Sequence, residues 1–394
     1  MGAPSGPRTL CLLGSTGVLG SAALAEALAH PDLLKVTALA AGRSTEILGE
    51  QAEEVFRTSG VLPTLAIGSE RQAQSLRDRL RPLGDPEVLS GPEGLARLAS
   101  APGTDTVLCA VTGLAAFPAA HAAARAGRHL ILATKEALAL GGAALKDLAR
   151  DNGGRLTPLD SELWAAARLL SFQGLAEAPP GYRLLLTASG GPLWHRPKEA
   201  FEHVTPEEIL RHPIWPLGPK IAVDSATQLN KAHEVVAAAQ LFGFAPEAIT
   251  VVIHPEARIH AVLGLPGGTE LALSAPPDMR IPLVNLLGLP AAPTSASWAL
   301  AGAISLQPVD VKRFPGVALG HEALASGPGG RAALVGACEA AVEAFLAGRI
   351  PFQRIASAVA EAVEKAPACP ETPEALLATA LEERSALLAN LTGG

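Results

Sequence analysis

Two short stretches carry the acidic and basic side chains whose spacing suits joint chemistry. Leu159-Asp160-Ser161-Glu162 sets two carboxylates two positions apart, which on an extended segment points both to the same side. Asn230-Lys231-Ala232-His233-Glu234 sets an amide, a lysine and a third carboxylate three to four positions apart, which on a helix gives them one face. Three carboxylates beside a lysine and an amide suit Mg2+ or Mn2+ next to an anion pocket. Such hard ions prefer carboxylate oxygen and keep positions open for substrate oxygens. Singly, each acid has a plainer reading: Asp160 fits the cap of a helix beginning near Ser161, and Glu162 fits a first-turn acid.

Val223-Asp224-Ser225-Ala226-Thr227 leads into the helix whose face carries Thr227, Asn230, Lys231 and Glu234. Ser225 is expected at its N-terminal end, where free backbone N–H groups favour anions. Ser225, Asn230 and Lys231 are natural phosphate ligands, Lys as a point charge and the others as neutral donors or acceptors. Ala188-Ser189-Gly190-Gly191 is a further anion nest, or simply a tight turn.

A cofactor motif stands near the N-terminus. Leu10 to Gly20 reads as an apolar strand, a glycine-rich turn (Gly14, Gly17, Gly20) and a helix start, the layout that lets a backbone approach a pyrophosphate. The second strand ends in Ala41-Gly42-Arg43-Ser44. An NAD site would place an acid there for the ribose 2′-OH. Arginine and serine suit a 2′-phosphate, hence NADPH, although Arg43 also fits an ordinary solvated loop.

The elements that must position these residues follow from the apolar pattern. Thr9 to Leu13, Val36 to Ala40, Val107 to Val111 and His129 to Ala133 are strand-like, with helical patterns such as Val18 to His30 and Ala115 to Ala126 between them. This alternation predicts an α/β fold opening on a Rossmann-like, doubly wound parallel sheet over 1–155, the NADPH-binding domain. A central α/β catalytic domain is expected over 156–288, with strands at Arg183 to Leu186, Ile249 to Ile253, Arg258 to Val262 and Glu270 to Leu273. Within it, 190–220 lacks periodicity and reads as a mobile lid. Residues 289–315 read as a linker. Residues 316–394 read as a helical bundle, from the spacing of Leu334, Val335, Cys338, Val342, Phe345 and Leu346 and the helix start at Thr372-Pro373-Glu374.

At 394 residues, two or three domains are expected. A net charge of −7 and a single tyrosine argue against a nucleic-acid surface, both electrostatically and for base stacking. The four cysteines form no CxxC pair, and Cys11 and Cys109 read as small core residues, which fits a reduced, cytoplasmic compartment. The N-terminus carries no secretory or transit pattern, so the mature protein is expected to begin close to Met1. No apolar run is long enough to span a bilayer.

These motifs, in order along essentially the whole chain, closely resemble 1-deoxy-D-xylulose 5-phosphate reductoisomerases. Beyond the stretches above, the resemblance rests on Lys135-Glu136, Ser189-Gly190-Gly191-Pro192, His212-Pro213-Ile214-Trp215, Ile253-His254-Pro255 and Asp278-Met279-Arg280. It implies an NADPH-dependent, Mg2+- or Mn2+-requiring homodimer. Such an enzyme rearranges the carbon skeleton of a sugar phosphate, 1-deoxy-D-xylulose 5-phosphate, and reduces the product to 2-C-methyl-D-erythritol 4-phosphate, committing carbon to isoprenoid precursors. It implies Asp160, Glu162 and Glu234 as metal ligands. Ser189, Ser225, Asn230 and Lys231 would bind phosphate, with His212 closing from the lid, and Ser161, Lys135 and His260 would reach substrate oxygens. Thr16, Gly17, Val18, Leu19, Gly42, Arg43, Ser44, Thr134, Glu136 and Gly218 would contact NADPH, and Trp215 would cover the reacting centre. The chain departs from the family pattern at Leu163 (usually His), Thr134 (Asn), Ile214 (polar) and Leu217 (Met). None of these is a metal ligand.

The residue types suit that chemistry independently of the resemblance: a chelated ketone and hydroxyl, a hydride donor, and a remote phosphate whose binding energy can close a lid. Two other readings compete. An NADPH-dependent dehydrogenase of a small polar acid, of the homoserine or semialdehyde type, would need neither three metal carboxylates nor the phosphate set. A catalytically dead nucleotide sensor would be expected to lose a metal ligand, and all three stand.

Overall fold

Strand and helix alternate through residue 158: β1 (Arg8–Leu13), α1 (Val18–Ala29), β2 (Leu34–Ala40), α2 (Thr45–Ser59), β3 (Thr64–Ile67), α3 (Glu70–Leu80), β4 (Val88–Ser90), α4 (Gly91–Ala99), β5 (Thr106–Cys109), α5 (Ala116–Arg125), β6 (His129–Leu132), α6 (Lys135–Asp151) and β7 (Arg155–Pro158). The protein is described by a computed structural model over residues 6–210, 214–215, 218–290 and 299–392. The seven strands form one parallel sheet in the order β4-β3-β2-β1-β5-β6-β7. Its central strands are covered on both faces, so Leu10 to Leu13, Val107 to Cys109 and Leu130 to Leu132 read as unbroken apolar runs and are fully buried. Cys11 and Cys109 are among them, as expected. The strand order reverses between β1 and β5, and the turn Gly14 to Gly17 leaves β1 at this switch point, where open α/β sheets take their ligands.

From Ser161 the elements are α7 (Ser161–Phe172), β8 (Arg183–Ala188), α8 (Pro206–Ile209), α9 (Pro219–Thr227), α10 (Leu229–Phe242), β9 (Ile249–Ile253), β10 (Ile259–Gly264), β11 (Glu270–Ser274), α11 (Arg280–Leu287), β12 (Gln307–Pro308), α12 (Gly316–Ala325), α13 (Gly327–Leu346), α14 (Phe352–Glu364) and α15 (Pro373–Thr392). The second sheet is mixed, ordered β11-β10-β8-β9-β12, with β8 and β9 parallel and the other pairs antiparallel. α7 packs on β10, and the C-terminal helices pack mainly as α13 against α14 and α15. The expected helix start at Thr372 forms, its hydroxyl accepting the Ala375 N–H at 3.3 Å.

The chain folds into two compact units that do not follow it in consecutive blocks. One comprises Met1–Thr134, Leu145–Asp160 and Met279–Thr294; the other comprises Lys135–Ala144, Ser161–Asp278 and Ser295–Gly394. The return of 279–294 is visible in the core of the first unit, where Leu283, Val284 and Leu287 of α11 join Leu10, Leu24 and Leu39. Arg280 pairs with Glu26 at 2.8 Å. In the segment read as a linker, Gln307 and Pro308 pair with β9.

The aperiodic segment 190–220 carries local structure of its own. Thr205 and Glu208 form a capping box that starts α8, with the Thr205 N–H donating to Glu208 Oε2 at 3.0 Å. Trp194 stacks on Phe314 at 5.9 Å and Phe201 meets Phe314 and Phe352 at 5.5 Å, so the first half of the expected lid is anchored by aromatic packing.

Candidate active site

The metal-type cluster is built at the step from β7 into α7. Leu159 completes the strand, its N–H donating to the Leu132 carbonyl at 2.9 Å. Asp160 follows, and Glu162 lies in the first turn of α7. Helix α10 supplies Glu234, and one oxygen from each of the three carboxylates lies within 4.8 Å of the others. The acids therefore converge through a strand-to-helix junction rather than along an extended segment, because helix begins at Ser161. Asp160 and Glu234 are buried, and the Glu162 side chain is 12% exposed.

Glu234 is held by three donors. Its Oε1 accepts from Lys135 Nζ at 2.8 Å and Asn230 Nδ2 at 2.6 Å, and its Oε2 accepts from Lys231 Nζ at 2.5 Å. Lys231 Nζ also stands 3.4 Å from Glu162 Oε1, and Ser161 Oγ donates to Glu162 Oε2 at 2.7 Å. Three carboxylates against two ammonium groups leave one net negative charge. All the converging acceptors are hard oxygens, and the buried Asn230 Oδ1 has no hydrogen-bond partner among the described residues. That donor set fits Mg2+ or Mn2+.

The phosphate candidates are arranged differently from the sequence expectation. Pro219 opens α9 at its first positions and Gln228, at φ +62°, breaks it, so Ser225 lies in the last turn of α9 and not at a helix N-terminus. Thr227 belongs to that helix too, and its hydroxyl donates to the Val223 carbonyl at 2.9 Å instead of sharing a face with Asn230 and Lys231. Gly191, at φ +72°, backs onto Ser225 so closely that a Cβ there would sit 2.8 Å from the Ser225 carbonyl oxygen. Gln228 Nε2 donates to the Gly190 carbonyl at 3.0 Å and the Ser225 carbonyl at 2.9 Å. The Ser189 loop, Ser225 and the start of α10 are thus brought together.

The remaining expected residues are scattered around these elements. Trp215 and Ile214 are half-buried, and Gly218 is exposed as the N-cap of α9. His212 and Leu217 lie outside the described residues. His260 is buried in β10, with Nε2 3.2 Å from the Ala275 carbonyl oxygen.

In the first unit, Gly14 holds φ +82°, and a Cβ on it would come within 2.7 Å of the Ala110 carbonyl oxygen. The turn can therefore be made only by glycine. Gly17 and Val18 are exposed, Thr16 and Leu19 half-buried, and no acid occupies the first turn of α1, so no local carboxylate competes for the N–H groups of this glycine cradle. At the end of β2, Gly42 has open space around it, Arg43 is exposed and Ser44 is the N-cap of α2. The cradle and the adjacent cation fit a dinucleotide carrying a further phosphate.

Residues 10–142 match the family described as 1-deoxy-D-xylulose 5-phosphate reductoisomerase, residues 156–242 its C-terminal domain, and residues 274–386 the DXP reductoisomerase C-terminal domain. The 1-deoxy-D-xylulose 5-phosphate reductoisomerase of Nitrosomonas europaea is 42% identical over 356 residues, 88% of this chain and 85% of that protein. The chain belongs to the 1-deoxy-D-xylulose 5-phosphate reductoisomerase family. The family member from Methylococcus capsulatus is 38% identical, covering 96% of this chain and 97% of its own. Among solved structures, a DOX-P reductoisomerase in complex with NADPH, fosmidomycin and magnesium is 29% identical, with a TM-score of 0.88 over 98% of each chain. The Zymomonas mobilis enzyme in complex with NADPH is 31% identical, with a TM-score of 0.85 over 98% of this chain and 100% of that one.

Against the reductoisomerase pattern, the departures sit at places that leave the carboxylates intact. Leu163 is fully buried on α7. Thr134 is the N-cap of α6 and donates its hydroxyl to the Val111 carbonyl. One network was not singled out in the sequence. Lys220 bridges Glu136 and Asp224, the latter at 2.7 Å, and all three side chains are at least 85% buried. Burial opposes the Glu136 charge, but the Lys220 ammonium overrides it and holds the carboxyl well below the usual range. The Glu136 side chain is thus committed to Lys220. The i,i+4 spacing of Lys220 and Asp224 behind Pro219 is the signal that could have found the pair.

Proposed function

We propose that the chain converts 1-deoxy-D-xylulose 5-phosphate to 2-C-methyl-D-erythritol 4-phosphate with NADPH and Mg2+ or Mn2+. The observation that carries this reading is the convergence of Asp160, Glu162 and Glu234 within 4.8 Å, beside two lysines. Asp160, Glu162 and Glu234 hold the divalent ion. When bound, that ion supplies Lewis acidity and a template, and NADPH supplies the hydride.

The chain's own residues do the rest. Lys135 and Ser161 orient the substrate's oxygens beside the carboxylates, with His260 supporting them from β10. Ser189, Ser225, Asn230 and Lys231 take the phosphate, and binding energy realised there closes the segment 190–220, with His212 donating and Trp215 excluding water from the reacting carbons. The turn at Thr16, Gly17, Val18 and Leu19 receives the cofactor's pyrophosphate, and Gly42, Arg43 and Ser44 receive its 2′-phosphate. Thr134, Glu136 and Gly218 complete the cofactor contacts, Glu136 through its backbone.

In function, 1–155 serves NADPH, 156–288 serves catalysis and dimerisation, and 316–394 forms the helical domain joined by 289–315. The protein works as a cytoplasmic homodimer, and no described helix is long and apolar enough to cross a membrane. The test is NADPH oxidation followed by absorbance. Loss of absorbance should require both 1-deoxy-D-xylulose 5-phosphate and a divalent ion. Oxidation unaffected by removal of either would overturn the assignment.

A further inference from the structure

A second group of metal-ligating side chains lies within the second unit, on three residues given no role in the reaction. Asp224 on α9, His233 on α10 and Cys338 on α13 each offer one ligand atom, and these atoms lie within 4.8 Å of one another. α13 packs on both α9 and α10, which closes the group off: Asp224 is 2% exposed, and His233 and Cys338 are not exposed at all. The Cys338 thiol donates to Asp224 Oδ1 at 3.3 Å, while Lys220 occupies the other oxygen, Oδ2, at 2.7 Å. Neither ring nitrogen of His233 has a hydrogen-bond partner among the described residues. A buried polar group left unpaired costs about 1–3 kcal/mol, so an imidazole with two such atoms calls for a ligand.

The charges point the same way. Lys220 carries one positive charge against the two negative charges of Glu136 and Asp224, leaving one net negative charge in a largely buried region. The Cys338 thiol donates to Asp224 Oδ1, so without a metal it keeps its proton and does not add to that charge.

We propose that Asp224, His233 and Cys338 form a second metal site, for a borderline divalent cation of the Zn2+ type. Binding breaks the Cys338 S–H bond, forms a sulfur–metal bond and releases one proton to solvent, with no change of oxidation state. Two charges gained and one proton lost bring the region to neutrality. Carboxylate, imidazole and thiolate together are the donor set that Zn2+ takes, and a thiolate is the ligand that Mg2+ avoids. The two sites therefore sort cations by softness. The carboxylate cluster takes the hard ion, and this site ties α9, α10 and α13 together.

The test uses the full chain expressed in Co2+-supplemented medium, so that the site loads as the protein folds, and purified in excess Mg2+ to keep the carboxylate cluster occupied. One equivalent of retained Co2+ with near-ultraviolet thiolate-to-cobalt charge-transfer absorption is expected. The band should vanish in Cys338→Ser, persist in Cys369→Ser, and bleach when Zn2+ replaces Co2+. If Cys338→Ser fails to accumulate, His233→Asn serves instead, with Co2+ affinity falling on the order of tenfold or more. Absence of a thiolate band, its survival in Cys338→Ser, or its loss in Cys369→Ser would each overturn the proposal.

Discussion

At Glu234, one fully buried carboxylate accepts from Lys135, Lys231 and Asn230 while facing two other acids. Glu234→Gln would remove one of the three proposed metal ligands and leave two largely buried ammonium groups facing a neutral amide. Turnover should fall to background, and the metal-free protein should lose about 3 kcal/mol, the cost of breaking a buried pair. NADPH oxidation and chemical denaturation check the two effects, and an active or undiminished variant would remove Glu234 from the site. Lys231→Ala should weaken inhibition by a metal-chelating phosphonate by roughly ten- to a hundredfold, as expected for about 1.5–3 kcal/mol from a charged hydrogen bond. Unchanged inhibition would place the phosphate elsewhere. Residue types and spacing made the convergence of these side chains legible, because the chemistry proposed for them needs a particular donor set. The Lys220–Glu136 pair was not legible, since an ion pair between residues 84 positions apart leaves no local trace.

At the level of single elements, the ends of strands carry the proposed cofactor determinant and a pH response. β2 ends at Ala40, and Arg43 follows it exposed in the turn before α2, where it is proposed to meet the cofactor's 2′-phosphate. Arg43→Ala should raise the KM for NADPH much more than that for NADH, as read from paired kinetics, and an equal change would refute the 2′-phosphate role. His129 on β6 is pushed down to about 4, by burial first and then by Arg155 and Arg8. Between this value and the ordinary 6.5 the unfolded chain binds the extra proton, so the contribution is full above 6.5 and lost as pH falls towards about 4. His129→Gln should flatten the difference in denaturation midpoint between about pH 7 and about pH 5, and a parallel slope would contradict it. Strands with long apolar runs were readable. The breaks were less so: Gln228 carries no turn signal, yet its left-handed backbone splits what reads as one helix and moves Ser225 into the preceding one.

For the whole molecule, the α/β architecture followed from alternation, and the helical C-terminus from its spacing. The interleaving of the two units did not, because the eight residues of α11 advertise an apolar face without saying which core it completes. That placement has a consequence for synthesis. Ribosomes extend a chain at about 5–20 residues per second. The first sheet finishes with β7 at Pro158, but Leu283, Val284, Leu287 and Leu289, which share its core, leave the ribosome only after the intervening chain has been made. For on the order of ten seconds the nascent sheet therefore presents an uncovered apolar groove beside α1. A chain stalled before residue 279 should bind holdase chaperones and resist proteases poorly, whereas one stalled well beyond Leu289 should be protected over its first 158 residues. Folding of the first unit is then timed by translation of a helix that follows, in sequence, much of the second.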